Sequence, residues 1–203
     1  MDREARLRQA LLARGPSWPA PLEWRATLDS TNDVLKAKAR RGTPEWTGVL
    51  ADTQTGGRGR EGRAWASPPG GLYLSVILRP RFERVGLVPL AAGVVVAEVA
   101  GEFGVEARVK WPNDVLVRGR KLAGVLTESS SSSRGVDWVV VGIGVNVAVD
   151  QTSLGPLAET ATSLHLEADR TPAVEDAAAG VLARLSVWYD ALEGRPSQVV
   201  DAW

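Results

Sequence analysis

The chain has 203 residues, enough for one large domain or two small ones with an independent hydrophobic core. Its content of 44% hydrophobic and 24% charged residues is typical of a globular protein and excludes disordered and collagen-like classes. The absence of cysteine excludes disulfides, thiolate metal sites and thiol nucleophiles. The 24 basic residues balance the 24 acidic ones, so no overall positive field would attract nucleic acid or anionic lipid.

The N-terminal sequence has mixed charge and lacks the apolar segment of a secretory signal, so we expect a cytoplasmic protein. The longest apolar run, 87–100, contains a proline, a glycine and a glutamate and is shorter than the ~20 residues that cross a bilayer. We therefore expect no transmembrane helix. Among the basic residues, lysine occurs only at positions 36, 38, 110 and 121, which makes Lys110 and Lys121 candidates for a role that needs an ammonium group.

The first half of the chain predicts alternating helices and strands. In chain order, these are a helix over 2–13, a strand over 22–28, a helix over 31–41, a strand over 48–52 and a loop over 54–71. Ser30 stands where a helix N-cap is expected, and Gly42 ends the second helix. Six glycines and two prolines make 54–71 a loop.

The second half predicts antiparallel strands and a final helix. In chain order, these are a strand over 72–79, a helix over 87–103, strands over 105–111, 115–117 and 121–127, a serine loop over 129–133, a strand over 136–147, and a helix from Pro172, capped by Thr171, to Gly194. The apolar strand 136–147 is typical of a sheet centre covered on both faces. We therefore predict an α/β (α+β) fold, with a mixed sheet flanked by helices. A single domain is expected over 1–203, with 1–21 as N-terminal helix and linker.

The loop from Gln54 to Trp65 alternates glycine with arginine. Glycines let backbone N–H groups approach an anion closely, and guanidinium groups bind phosphate oxygens in pairs. Trp65 offers a flat face to a base. A flexible surface segment or a disordered RNA-binding tract could have the same composition, but a single loop between buried strands favours a phosphate site.

A second group of polar residues, Lys110 to Asp114, follows a predicted strand. Pro112 ends the strand, so Asn113 and Asp114 turn away and Lys110 would give one face a buried ammonium. The alternative is a solvated lysine beside an ordinary turn. Glycines within later strands, such as Gly124 and Gly142, indicate the close approach of a ligand or of neighbouring backbone.

In this order, the segments resemble the biotin protein ligases, also called biotin–acetyl-CoA-carboxylase ligases. The matching motifs are Ser30-Thr31-Asn32, Gln54 with Gly57 to Arg63 and Trp65, Ser67-Pro68, Leu72 to Ser75, Lys110 to Asp114, Lys121 to Gly124 and Gly142 to Asn146. Several motifs at compatible spacings over about residues 22–193 are more specific than any one of them. The resemblance implies a catalytic domain similar in fold to those of class II aminoacyl-tRNA synthetases.

The resemblance also implies a reaction. The carboxylate of biotin attacks the α-phosphorus of ATP, with magnesium, to give biotinyl-5′-adenylate and pyrophosphate. A lysine of a biotin carboxyl carrier protein or domain then attacks this anhydride and AMP leaves. We accordingly expect biotin, ATP and Mg²⁺ as ligands, a carrier domain of a biotin-dependent carboxylase as partner, and neither nucleic acid nor a membrane.

The resemblance assigns roles to particular residues. Ser30, Thr31, Asn32 and Gln54 would bind the ureido group of biotin, assisted by backbone at Gly57, Arg58 and Gly59. Lys110 would lie between the biotin carboxylate and the α-phosphate, and Arg60 would hold the adenylate; both are expected to be catalytic. The other expected ligand-binding residues are Trp65, against adenine, and Asn113, Gly124, Gly142 and Asn146. Asn146, with Asp114 as a further candidate, is expected near the metal.

Two departures from the family pattern bear on function. The residues before Leu22 are too few for the winged helix-turn-helix that makes some members repressors, so no repressor activity is expected. The chain also ends where an SH3-like domain would begin in most members, which puts its turnover in doubt.

Three other functions fit the sequence less well. A lipoate ligase shares this fold but lacks the glycine-arginine loop with the Lys110 to Asp114 motif, and octanoyl transferases need a cysteine. A nucleotide- or RNA-binding module is disfavoured by zero net charge and scarce stacking residues. The single histidine, His165, is expected to have no role.

Overall fold

The computed structural model describes residues 2–15, 18–133 and 135–203. Its sheet has seven strands in the order β1-β2-β3-β7-β6-β5-β4. The strands are β1 (Leu22–Leu28), β2 (Gly48–Gln54), β3 (Gly71–Leu78), β4 (Arg108–Lys110), β5 (Asp114–Val117), β6 (Arg120–Ser132) and β7 (Gly135–Asn146). Among these strands of the described residues, β1 and β2 pair in parallel and the other neighbouring pairs are antiparallel. The predicted mixed sheet is thus confirmed.

Seven α-helices accompany the sheet in the described part of the chain. They are α1 (Arg3–Leu12), α2 (Thr31–Arg40), α3 (Val88–Glu102), α4 (Gln151–Leu154), α5 (Leu164–Glu167), α6 (Val174–Gly194) and α7 (Ser197–Ala202). Helices α1, α3 and α6 form the main hydrophobic core with one face of the sheet. Helix α2 packs on the opposite face, where Leu35 and Ala39 contact a smaller apolar cluster.

Side chains alternate between these two faces along the central strands, as strand geometry requires. On β7, Val141, Ile143 and Val145 belong to the main core, whereas Val140 belongs to the cluster under α2. Positions 142 and 144 therefore share the α2 face with Val140, and both are glycine. The α2 face thus has space above β7 beyond the end of the helix.

Several predictions of local structure were wrong. The serine run 129–133 is mostly strand, because β6 continues to Ser132 and pairs with the start of β7. Asp137 accepts hydrogen bonds from Ser130 and Ser132 there, which satisfies hydroxyl groups that were expected to be solvated. The last long helix begins at Val174 with Ala173 as N-cap, and the Thr171 hydroxyl contacts the His165 ring instead of capping it.

The predicted strand over 105–111 is shortened to β4, and His165 lies in the short helix α5. A 3₁₀ turn over Phe82–Leu87 leads directly into α3. The 3₁₀ turn and α3 form one helical stretch, Phe82–Glu102, of 21 residues. By length and composition alone it is apolar enough to cross a membrane, whereas no transmembrane helix was expected from the sequence. In the most apolar window of this stretch 56% of the residues are buried, so these apolar residues belong to the protein core.

Helix α1 is attached to the rest of the fold by charged groups around Glu175 of α6. Arg3 and Arg6 both donate to Glu175 Oε1, at 3.3 and 2.8 Å, and Arg3 also pairs with Asp52 of β2 at 2.9 Å. Burial opposes the charge on Glu175, but its own backbone N–H and the two arginines outweigh burial and hold the pKa of this carboxyl below its usual value of 4.5.

This depressed pKa predicts how stability depends on pH. A carboxyl whose folded pKa is lowered stabilises the protein above the pKa of the unfolded chain, and its contribution disappears as the pH falls through the folded pKa. Glu175→Gln should therefore lower the free energy of unfolding at pH 7 by about 1.5 to 3 kcal/mol, as for the loss of a charged hydrogen bond, and the difference from wild type should shrink below pH 4.5. Thermal unfolding across pH measures this. Glu106→Gln, at an exposed pair with Arg108, is the control, and a pH-independent loss would contradict the linkage.

Candidate active site

A cavity of about 420 Å³ lies on the α2 face, above β6 and β7. Its wall contains residues from the N-terminus of α2, the end of β2, the glycine-arginine loop and strands β5 to β7. Segments that are far apart in sequence therefore meet in one pocket. Of the predicted site residues, all but Gly57 line this cavity, and Gly57 is buried directly behind it.

One end of the pocket is formed by a chain of hydrogen bonds between uncharged side chains. The backbone N–H and hydroxyl of Thr31 both donate to Gln54 Oε1, at 2.9 and 3.1 Å. Gln54 Nε2 donates to Ser67 Oγ at 2.9 Å, and Ser67 donates to the Trp65 carbonyl at 3.1 Å. This chain links the start of α2 to the glycine-arginine loop through the end of β2.

Asn32 is fixed by its own set of partners. Its amide nitrogen donates to the Leu126 carbonyl and to Glu128 Oε2, at 3.3 and 3.0 Å. Its oxygen accepts from the fully buried Ser75 hydroxyl at 2.6 Å, and this hydroxyl lies 2.8 Å from Thr31 Oγ1. A Cβ at Gly142 would lie 2.2 Å from Asn32 Oδ1, so only glycine leaves room for this side chain.

These bonds leave a small number of polar groups open to a ligand. Ser30 as a residue is 2% exposed, and its hydroxyl makes no hydrogen bond to the described residues although Ser30 is the N-cap of α2. The predicted N-cap position is confirmed, but the side chain does not make the hydrogen bond that usually accompanies it. Gln54 keeps one N–H, and Asn32 Oδ1 keeps one lone pair. This end of the pocket thus offers a hydroxyl, a donor and an acceptor, all uncharged.

The Trp65 ring forms the middle of the pocket wall. It lies against the bare backbone of β6 and β7, because a Cβ at Gly144 or Gly124 would be only 2.7 or 3.0 Å from ring atoms. Its Nε1 is buried without a hydrogen-bond partner among the described residues. The Lys121 ammonium lies 5.3 Å from the ring centre, a cation–π distance. Trp65 therefore separates the uncharged end from a region with positive charge.

Lys121 supplies an ammonium inside the pocket. It is paired with Asp114 Oδ1 at 2.6 Å, and its side chain is 35% exposed. Lys110 also lines the pocket but is exposed at the end of β4, so the expectation of a buried ammonium at this position was wrong. Arg60 lies in the 3₁₀ turn at the loop tip and has no carboxylate partner among the described residues.

Arg58 is not available as a free cation. Its guanidinium pairs with Asp33 of α2, at 3.1 Å, and with Glu128 of β6. Burial opposes the charge of Glu128, but hydrogen bonds from Lys36, Asn32 and Arg58 outweigh it and hold the pKa of this carboxyl below its usual range. Of the expected phosphate-binding arginines, Arg60 is therefore placed to meet an anion, whereas the side chain of Arg58 is neutralised.

Asn113 and Asn146 are held by backbone carbonyl groups. Asn113 Nδ2 donates to the Val125 carbonyl at 2.8 Å, and Asn146 Nδ2 donates to the Thr162 carbonyl at 2.9 Å. Within the described ranges, no group of three acidic or histidine residues could form a metal cage. Asp114 is the one carboxylate lining the cavity among the described residues, and it is paired with Lys121.

Three contributors to the site were given no role from the sequence, namely Gly144, Ser75 and Glu128, and Lys121 was named only as a candidate ammonium. Gly144 and Ser75 belong to motifs that the sequence did mark, whereas Glu128 lies outside them. Ser75 and Glu128 lie within strands, and their role depends on which face of the sheet they occupy. Only the register of β3, β6 and β7 reveals this face.

Comparison with known proteins identifies the family. A family model for the biotin/lipoate A/B protein ligase family matches residues 24–146. The biotin–[acetyl-CoA-carboxylase] ligase of Mycobacterium tuberculosis is 36% identical over 198 residues, which cover 93% of this chain and 72% of that protein. The bifunctional ligase/repressor BirA of Bacillus spizizenii is 40% identical over 130 residues, covering 62% of this chain and 40% of that protein.

Solved structures give the same answer for the fold. A biotin protein ligase from Aquifex aeolicus in complex with biotin and ATP superposes with a TM-score of 0.74 at 34% identity, over 86% of this chain and 72% of that one. A biotin protein ligase from Leishmania major in complex with biotinyl-5-AMP gives 0.75 at 26% identity, over 91% and 80%. The chain spans 38% to 53% of the length of three of the curated relatives it matches. It belongs to the biotin/lipoate A/B protein ligase family.

Proposed function

We propose that this chain binds biotin and ATP, forms biotinyl-5′-adenylate with release of pyrophosphate, and transfers the biotinyl group to a lysine of a biotin carboxyl carrier domain. The observation that carries the proposal is the division of the pocket into an uncharged polar end and a cationic end on either side of Trp65. Biotin has the same division, with a neutral urea at one end and a carboxylate at the other.

The polar end favours biotin over lipoate as substrate. A urea has two N–H donors and one carbonyl acceptor, which match the hydroxyl of Ser30 and the free amide positions of Gln54 and Asn32. The dithiolane ring of lipoate has no such groups and would leave these buried polar atoms unpaired, at a cost of about 1 to 3 kcal/mol each. A site built for hydrogen bonds rejects an analogue that lacks them.

The cationic end suits the chemistry of adenylation. A carboxylate and a triphosphate repel each other, so a cation must lie where they meet and where charge develops on the α-phosphoryl oxygens. Lys121 is held at such a place by Asp114 on one side and the Trp65 ring on the other. Arg60 and Lys110, at the loop tip and the rim, would bind the other phosphate oxygens. Trp65, as predicted, would offer its ring to adenine.

Magnesium would depend mainly on the nucleotide for its ligands. Mg²⁺ in nucleotide sites is held by one or two carboxylates together with phosphates and water. Asp114 could serve once its lysine turns to substrate, and Asn146 has an amide oxygen free of the bond to Thr162. The ion would supply charge neutralisation on the phosphates.

The proposal also includes a biotin carboxyl carrier domain as the protein partner and a cytoplasmic location for the chain.

The proposed activity is tested by incubating the chain with biotin, ATP and Mg²⁺ and examining it by mass spectrometry under non-denaturing conditions. Retained biotinyl-5′-adenylate and released pyrophosphate are expected. Lipoate in place of biotin should give at least about a hundredfold less adenylate, since two or more polar groups lose their partners. Equal activation of both acids, or binding of RNA without adenylate, would contradict the proposal.

Two lysines are candidates for the ammonium at the reacting atoms, and substitution separates them. The resemblance gives this role to Lys110, whereas the geometry favours Lys121. Lys121→Met, which keeps the aliphatic stem against Trp65, should slow pyrophosphate release by about 10²- to 10³-fold. Lys110→Met should have a much smaller effect because its ammonium is exposed. The reverse order, with both variants melting like wild type, would return the role to Lys110.

Binding at the polar end is tested with Ser30→Ala. The hydroxyl makes no helix-capping bond, so this change should leave α2 intact and weaken biotin binding by about 1 to 3 kcal/mol. ATP affinity should be unchanged, and calorimetric titration with each ligand measures both. Ser186→Ala, at a serine of α6, is the control. Equal losses for biotin and ATP would indicate a general disturbance of the pocket instead of a lost ureido contact.

A further inference from the structure

Four charged side chains form a closed ring behind the uncharged end of the pocket, and the proposed reaction makes no use of them. Lys36 Nζ lies 2.7 Å from Asp33 Oδ1 and 2.7 Å from Glu128 Oε1. The Arg58 guanidinium lies 3.1 Å from the same Asp33 oxygen and contacts Glu128 Oε2. Each cation therefore touches both anions, and the formal charge of the ring is zero.

The ring joins three separate parts of the fold. Asp33 and Lys36 lie one turn apart on α2, Glu128 lies on β6, and Arg58 lies at the start of the glycine-arginine loop. Outside the ring, Glu128 also accepts a hydrogen bond from the amide of Asn32, a residue of the pocket wall, at 3.0 Å. One carboxylate thus connects the loop, the helix and a candidate biotin contact.

The loop is built so that Arg58 can serve as its attachment. Trp65 N donates to the Gly57 carbonyl at 2.9 Å and Gly59 N donates to the Arg63 carbonyl at 2.7 Å, which closes a narrow stem. A Cβ at Gly57 would lie 2.4 Å from the Trp65 carbonyl oxygen, so the stem is tightly packed. The tip holds Arg60 and Arg63, and its one ion pair within the described residues is an exposed 3.5 Å contact between Arg63 and Glu61.

We propose that Glu128 is a positioning residue for the glycine-arginine loop: by holding Arg58 against α2 it sets the loop over the pocket, and by accepting from Asn32 it orients the uncharged end. This inference rests on the proposed function, since the ligand whose binding it controls is biotin. Glu128 itself touches no reacting atom. Removing the Glu128 carboxylate would loosen the loop stem at Arg58 and release the Asn32 amide, and both of these lie at the biotin end of the pocket. The Lys121–Asp114 pair at the cationic end would be unchanged.

The test compares Glu128→Gln, which keeps the size of the side chain and removes its charge, with the wild-type chain. The KM for biotin in pyrophosphate release should rise about tenfold, as for the loss of one partly buried charged hydrogen bond, while the KM for ATP changes less than about twofold. Limited digestion with trypsin, without ligands, should cut after Arg60 and Arg63 at least about fivefold faster. Arg58→Gln should give the same two changes, and the double variant should add little to either single one.

Glu193→Gln is the matched control, because Glu193 is equally exposed, at 25%, and is paired with Arg81 away from the pocket. It should leave both KM values and the cleavage rates as in wild type. The proposal would be overturned if Glu128→Gln matched this control in the KM for biotin, the KM for ATP and the cleavage rates. So would a general loss of stability that raised both KM values together. The cleavage rates need neither biotin nor ATP, so a wild-type chain that formed no adenylate would refute the proposed function while the loop attachment was still decided by trypsin.

Discussion

The pocket depends on the absence of side chains at two positions of β7. This strand lies at the centre of the sheet and is covered on both faces, so any residue at Gly142 or Gly144 would project into the space beside α2. A Cβ there would lie 2.2 Å from the Asn32 amide or 2.7 Å from the Trp65 ring, far closer than such atoms approach. Glycine weakens a strand, but at these two positions it is required because Asn32 and Trp65 lie directly against the strand backbone.

With Asn32 and Trp65 packed against β7, the hydrogen bonds within the protein determine which polar atoms remain free to bind a ligand. Nearly every polar atom of Thr31, Gln54 and Asn32 is used within the protein. Buried polar groups that are fully satisfied hold fixed positions, and the few that are not define what a ligand must offer. The rigid framework is therefore what makes the unpartnered Ser30 hydroxyl selective, because its neighbours cannot turn to satisfy it.

The sequence predicts those parts of this structure that depend on local information. The bounds of β1 match residue by residue, and glycines mark the loops, because strand patterning and turn residues act over a few positions. The serine run could not be placed, since its conformation follows from pairing with β7 and from Asp137. The sequence also could not decide which of Lys110 and Lys121 supplies the ammonium inside the pocket. A register shift lies between Val115 and Leu116, and shifting a strand by one residue reverses the face on which side chains lie.

The distribution of charge around the pocket follows the same division as its hydrogen bonds. At the uncharged end, Lys36 and Arg58 are each balanced by Asp33 and Glu128, so the arginine-rich loop adds no net field where a neutral group would bind. Beyond Trp65, Lys121 has one carboxylate, and Arg60 and Lys110 have none among the described residues. An unbalanced cation raises the affinity for any anion, including the wrong one. Confining such cations to one end lets the charged part of a ligand fix its direction, while the neutral part is selected by shape and hydrogen bonds.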